Sequence, residues 1–139
     1  MRFILAVVFC SAALFGAGLA ASLTVRVGNI DPKGGLLHVA LYNAAIWDDD
    51  NADPLMDRIV PAVAPETVVT FTKVPPGVYG VKSYQDVNRN DKFDQGLFGI
   101  PLERYGFSRD AHPRLSQPAF SRTQFTIPAS GASIVLHLQ

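Results

Sequence analysis

The chain has 139 residues, 48% of them hydrophobic, with twelve Lys and Arg against twelve Asp and Glu. So even a balance leaves no basic face for nucleic acid, and no nucleic-acid partner is predicted. One cysteine, Cys10, excludes an intramolecular disulfide framework.

Arg2 precedes an apolar run over residues 3–14, and small residues follow in GAGLAAS. This is the layout of a secretory signal peptide over residues 1–20, with Gly18 and Ala20 as the small residues before the cut. Cleavage after Ala21 is the second choice. A retained anchor is the alternative, opposed by an apolar run shorter than the ~20 residues of a spanning helix. The sequence thus predicts an exported protein, periplasmic or extracellular, with no membrane span after leader cleavage. Residues 21–139 suffice for a single domain. Cys10 leaves with the leader, so the mature form has no thiol for a disulfide, a nucleophile or Cys-bound zinc.

Strand signals dominate the mature chain. In SLTVRVGNI, Leu23, Val25 and Val27 alternate with Thr24 and Arg26. After the turn DPKGG, residues 36–42 place Leu37, Val39 and Leu41 on one face and His38 and Ala40 on the other, and the pair reads as a hairpin. Residues 43–66, with the acidic stretch WDDDNAD and several prolines, read as a loop with at most one short helical turn near 54–59. TVVTFTKV is a strand, PPG at 75–77 a turn, and VYGVKSY the next strand. Residues 86–120 show neither period, yet carry aromatic and aliphatic residues that can pack onto a sheet, so they read as one long functional loop. Residues 124–127 and 133–138 give two more strands, with His137 outward. The fold class predicted is all-β, an antiparallel β-sandwich of about seven strands with one long irregular loop.

The segment DVNRNDKFD places Asp86, Asn88, Asn90 and Asp94 at offsets 1, 3, 5 and 9 directly after a strand. A hard cation such as calcium takes six to eight oxygens, and a curled loop brings such positions together while position 7 offers its carbonyl. Lys92 would supply that carbonyl. Position 6 is Asp91, where the helix–loop–helix calcium pattern has Gly, and Asp tolerates the left-handed geometry. Position 12 is Leu97, not the usual Glu, so another carboxylate is needed, from Glu103 or from the acidic cluster at 48–53. The competing reading is a plain turn, since Asn and Asp favour turns for local reasons.

Other constellations are weaker. His38, His112 and His137 have no informative spacing for a shared metal. Ser108 in YGFSR lacks the flanking glycines of a nucleophile elbow. Tyr105 and Phe107 read either as an aromatic ligand platform or as anchors of the long loop, and Trp47 invites the same two readings, its acidic neighbours favouring an exposed binding aromatic.

The stretch YQDVNRNDKFDQGLFGIPLERYGFSRDA, with QPAF at 117–120 and VPPGVYGV at 74–81, resembles a bacterial family of secreted proteins known as domain of unknown function 2141. Its pattern appears here as Asp86, Asn88, Asn90 and Asp94, then Gly99-Ile100-Pro101, Glu103, and Tyr105-Gly106-Phe107-Ser108. Asp91 and Arg104 stand where the family usually has Gly. The resemblance covers nearly the whole mature chain and implies no activity. The PPGxY turn is also similar to that of transthyretin-like and carboxypeptidase-regulatory-like sandwiches, which with immunoglobulin-like ones share the architecture. The function predicted is a non-enzymatic binding or structural module with a calcium loop and an unknown ligand or envelope-protein partner. The alternatives are a periplasmic hydrolase using Asp86 and Glu103, or an accessory subunit of an envelope complex.

Overall fold

A computed structural model describes residues 20–139, so the leader predicted over 1–20 lies, apart from Ala20, outside the described residues. Period-two burial organises the first strand, β1 (Ala21–Gly28), where Ala21, Leu23, Val25 and Val27 turn inward. The same rule shapes β2 (Leu36–Tyr42), β4 (Thr67–Val74) and β5 (Gly77–Asp86). Strand β3 (Met56–Pro61) lies on the edge, β6 is Tyr105–Phe107, β7 is Phe125–Ile127 and β8 is Ala132–His137. One sheet has the order β4-β1-β8. The other runs β3-β2-β5-β6, with β7 pairing the first half of β5. Among the described residues, no helix is long and apolar enough to cross a membrane.

The two sheets bury their alternating faces against each other, as a sandwich does. Leu23, Val25, Leu37, Val39, Leu41, Val81, Ile127 and Leu136 have no exposed surface. Each large aliphatic side chain buried this way contributes about 1.5–3 kcal/mol relative to exposure. The core therefore fixes which face of β2 and β5 is inward and leaves the other face to the loops.

Four expectations are corrected. Strands β1 and β2 are not a hairpin. β1 pairs with β4 and β8 and β2 with β3 and β5, so DPKGG crosses between sheets. Alternation reports a buried face, not a partner. Residues expected to carry a helical turn form β3, with Met56 opposite Leu41. The pairing of β1 with β8 is parallel, not antiparallel. Within 86–120 the chain is not wholly irregular, since β6 pairs antiparallel with β5, Tyr105 opposite Tyr84. Among the described residues the strands number eight.

The crossing is pinned by a side chain that period alone does not single out. Gln85 is fully buried, its Oε1 accepting the Asp31 N–H at 2.8 Å and its Nε2 donating to Asp31 O at 2.9 Å and Gly34 O at 2.6 Å. All its polar capacity toward the turn is used, as burial demands. The DPKGG turn is thereby tied to the end of β5.

A candidate cation loop and the adjoining cleft

Asp86 is the last residue of β5 and has no exposed surface. Its Oδ1 accepts the Asn90 N–H at 3.1 Å and its Oδ2 the Asp91 N–H at 2.7 Å. The chain curls tightly enough for this because Arg89 and Asp91 both take a left-handed φ of 58°. Asp91 thus adopts the geometry that Gly supplies at the sixth place of a calcium loop.

The turn brings the Asn88 and Asn90 carboxamides onto the Asp94 carboxylate. Asn88 Nδ2 donates to Asp94 Oδ2 at 2.7 Å and Asn90 Nδ2 to Asp94 Oδ1 at 2.8 Å. These bonds from Asn90 and Asn88 hold the Asp94 carboxyl below the usual carboxylate range. The Lys92 side chain is exposed and its N–H donates to Asn90 Oδ1 at 3.0 Å.

Glu103 arrives from outside the turn. The chain folds back after Asp94, with Leu102 N–H donating to Asp94 O at 3.0 Å and Gln95 bridging Pro101. That return brings Glu103 Oε2 to accept the Asp94 N–H at 3.2 Å. Glu103 is only 9% exposed, and its Oε1 is buried without a hydrogen-bond partner. Burial pushes its carboxyl pKa up, the Asp94 N–H offsets part of the rise, and the Asp94 and Asp86 carboxylates add to it. The turn and the return thus gather Asp86, Asn88, Asn90, Asp94 and Glu103 in one corner, linked through N–H donors rather than with their oxygens on one point, and oxygen-bearing groups of this kind suit a hard cation such as calcium. The orphaned oxygen is what such a cation would satisfy. Leu97, in the 3-10 turn Leu97–Gly99, is 83% exposed and offers no ligand.

His38 belongs to the same corner, although its alternation with Leu37 and Val39 predicts an outward face. That face is covered by the loop, and the His38 side chain is 14% exposed. Its Nε2 lies 3.6 Å from Asp86 Oδ2 and 3.8 Å from Asp91 Oδ1, and is buried without a hydrogen-bond partner. The three ligand atoms of His38, Asp86 and Asp91 stand within 4.8 Å of one another. The ring stacks on Tyr84 at 4.4 Å. Burial, with Asp86, Glu103, Asp91 and Asp94 around it, raises the Tyr84 phenol to about 12.

The three histidines do not share one site. His112 Nδ1 meets Gln139 Oε1 at 2.7 Å, and His137 Nδ1 meets Asp110 Oδ2 at 2.8 Å. Ser108 is fully buried, its Oγ accepting the Val81 N–H at 2.9 Å and donating to Thr123 O at 2.6 Å. It ties β5 to α1 (Phe120–Thr123) and is no surface nucleophile. The acidic cluster turns to other partners, with Asp48 Oδ1 accepting from Gln117 Nε2 at 3.2 Å.

Beside the loop, on the outer face of β2 and β5, a cleft of about 710 Å3 is lined by Tyr42, Lys82, Tyr84, Phe93 and Tyr105, with Phe98 and Leu115 at its sides. Clefts of this size hold small molecules. Of the three aromatics predicted to form a ligand surface, Tyr105 is half-buried and lines the cleft, while Phe107 is 9% exposed and reaches it only with little surface. Trp47, expected to be an exposed binding aromatic, has no exposed surface at all. Its ring packs against Tyr42, Phe107 and Phe120 and its Nε1 donates to Pro118 O at 2.9 Å. The acidic residues after Trp47 suggest exposure, but its cover comes from the far side of the sequence.

Residues 25–135 match a family described as "Uncharacterized protein conserved in bacteria (DUF2141)", and the chain belongs to that family. No curated protein and no solved structure matches it significantly.

Proposed function

We propose that this DUF2141 protein is an exported, non-enzymatic β-sandwich, periplasmic or extracellular, that closes residues 86–103 around a calcium ion and offers the adjoining cleft to a ligand or an envelope protein. The observation that carries the calcium reading is Glu103 Oε1, buried and unpartnered beside Asp94. An orphaned buried carboxylate oxygen costs several kcal/mol or is protonated, and a cation among these oxygens removes that penalty. Asp86, Asn88, Asn90, Asp94 and Glu103 would supply side-chain oxygens, and Lys92 its carbonyl. The ion would hold the returning strand against the turn and so set the position of the cleft's loop wall.

The hydrolase alternative is disfavoured by Asp86. With no exposed surface and both oxygens accepting backbone N–H groups, it is badly placed to exchange a proton with a substrate. A second cation reading has its own observation, the buried unpartnered His38 Nε2 near Asp86 and Asp91. An imidazole nitrogen favours zinc or a related ion over calcium.

Calorimetric titration and thermal melting of the metal-stripped protein decide between these. Calcium at a hundredfold excess over its Kd stabilises by about 2.7 kcal/mol, a clear rise in midpoint. Asp86→Ala with Asp94→Ala abolishes the rise, and His38→Gln leaves it intact. A zinc response lost in His38→Gln, with none to calcium, selects the second reading. Identical midpoints in calcium and in chelator reject the calcium site.

A further inference from the structure

We propose that the cleft on the outer face of β2 and β5 binds an apolar, ring-bearing acid, with Lys82 fixing its anionic group, the aromatic floor receiving its ring, and Phe98 and Leu115 closing on its sides. The inference rests on the reading of the cleft as a binding surface, but not on calcium.

The floor is a continuous run of rings. Tyr84 stacks on His38, Phe93 lies 5.4 Å from Tyr84, and Tyr105 lies 5.7 Å from Phe93, measured between centroids. The Phe93 ring is inclined to both neighbours, 56° to Tyr84 and 66° to Tyr105, so a ligand ring can meet these rings face-on or edge-on, as aromatic pairs prefer. The lips are apolar and open to water, Phe98 being 98% and Leu115 104% exposed. Phe98 is also held at a φ of 59°, a left-handed conformation that is strained for a non-glycine residue. Exposure and strain together at one aromatic side chain are unfavourable for the isolated fold and point to a bound partner.

The polar groups narrow the class. Ser83 Oγ is spent on His38 O at 2.8 Å, and Gln117 Nε2 on Trp47 O at 2.9 Å. These two groups next to Lys82 are therefore not free to bind a ligand hydroxyl. Lys82 Nζ donates to Trp47 O at 2.8 Å and lies 4.4 Å and 4.6 Å from the centres of the Tyr42 and Trp47 rings. Among the described residues, neither Lys82 nor Arg114, which also lines the cleft, has a carboxylate oxygen within 4.0 Å. Asp50 is the one carboxylate of the lining, so two cations stand against one anion. Asp48 also lies close by, its Oδ1 accepting from Gln117 Nε2 of the lining, so an acid is selected by direct pairing with Lys82 and Arg114 and not by net charge.

The test uses anilinonaphthalene sulfonate as a fluorescent probe on the folded protein, with 2-naphthoate and its uncharged analogue 2-naphthalenemethanol as competitors. Expected are one saturable site per chain and tenfold or stronger displacement by the acid than by the alcohol. Lys82→Met removes the preference for the acid and Lys82→Arg keeps it. Phe98→Ser and Leu115→Ser weaken both competitors about tenfold. Thermal melts establish that each variant is folded, and should Lys82→Met not fold, Arg114→Gln replaces it, with a reduced acid preference expected. Absence of saturable binding, equal affinity for acid and alcohol, or lip variants without effect each overturn the proposal. All arms run in calcium and in chelator. Failure of these arms beside an intact calcium-dependent rise in midpoint overturns the ligand class alone.

Discussion

Asp94 and Glu103 meet through one hydrogen bond, the Asp94 N–H donating to Glu103 Oε2 at 3.2 Å, while Glu103 Oε1 faces no donor. The bond closes a loop of the chain on itself, since Leu102 N–H also donates to Asp94 O. A carboxylate thus forms part of the structural closure and at the same time carries an unmet electrostatic demand. The two roles respond differently to substitution.

Glu103→Gln keeps an acceptor for the Asp94 N–H and removes the charge. Because the folded carboxyl pKa lies above its ordinary value, ionised Glu103 opposes folding, and its contribution is lost as pH rises through the folded value. In chelator, Glu103→Gln therefore raises the thermal midpoint at neutral pH and flattens the fall above the acid range. In calcium the sign reverses, with affinity weakened tenfold or more, about 1.4 kcal/mol. Melting curves across pH in both conditions check the reversal.

Tyr84 supplies a spectroscopic reading of the same corner. Its phenol is raised to about 12, first by burial and then by four neighbouring carboxylates. The folded pKa exceeds the unfolded one, so the stability it contributes is present below about 10 and lost as pH climbs toward 12. Ultraviolet titration of phenolate should show a late-ionising group that Tyr84→Phe removes. Calcium lowers its midpoint by neutralising the carboxylates, but not to the ordinary value, because burial remains.

Gly35 tests how Asp86 is positioned. It has a φ of +85°, and a Cβ there would run into Asp86 O and stand 2.7 Å from Val87 Cα. Both obstacles are backbone, so Gly35→Ala forces β2 and the loop entrance apart. The strained φ alone costs roughly 1–2 kcal/mol and the clash adds to it. Chemical denaturation should show a loss of about 3 kcal/mol or more, with calcium response weakened in whatever remains folded.

Where the sequence was legible, the structure is local. Leu23, Val25 and Val27, or Leu37, Val39 and Leu41, announce their strands because one face meets the core and the period is two. The turn from Asp86 to Asp94 was visible for a similar reason, since its hydrogen bonds join residues a few places apart. What stayed hidden depends on distant partners. In β3, Asp57, Arg58 and Ile59 are all exposed on an edge, so no alternation betrays the strand. Strand β6 has three residues, too few to carry a period. His38 alternates correctly with Leu37 and Val39, yet its outer face is covered by a loop that starts after β5. Glu103 reaches Asp94 only through the return at Leu102.

Trp47 makes that distinction measurable, because it is the chain's one tryptophan. Its neighbours in sequence are acidic and exposed, but Pro118 O accepts its Nε1–H at 2.9 Å and Phe120 packs at 5.7 Å. Emission should accordingly be blue-shifted and resist acrylamide and iodide in the native protein, and become quenchable on unfolding. Trp47→Phe keeps an aromatic ring beside Lys82, a weaker partner for a cation than indole, but strands the Pro118 carbonyl. The unpaired acceptor costs about 1–3 kcal/mol. Denaturation midpoints should fall accordingly. A freely quenched native tryptophan would contradict that burial.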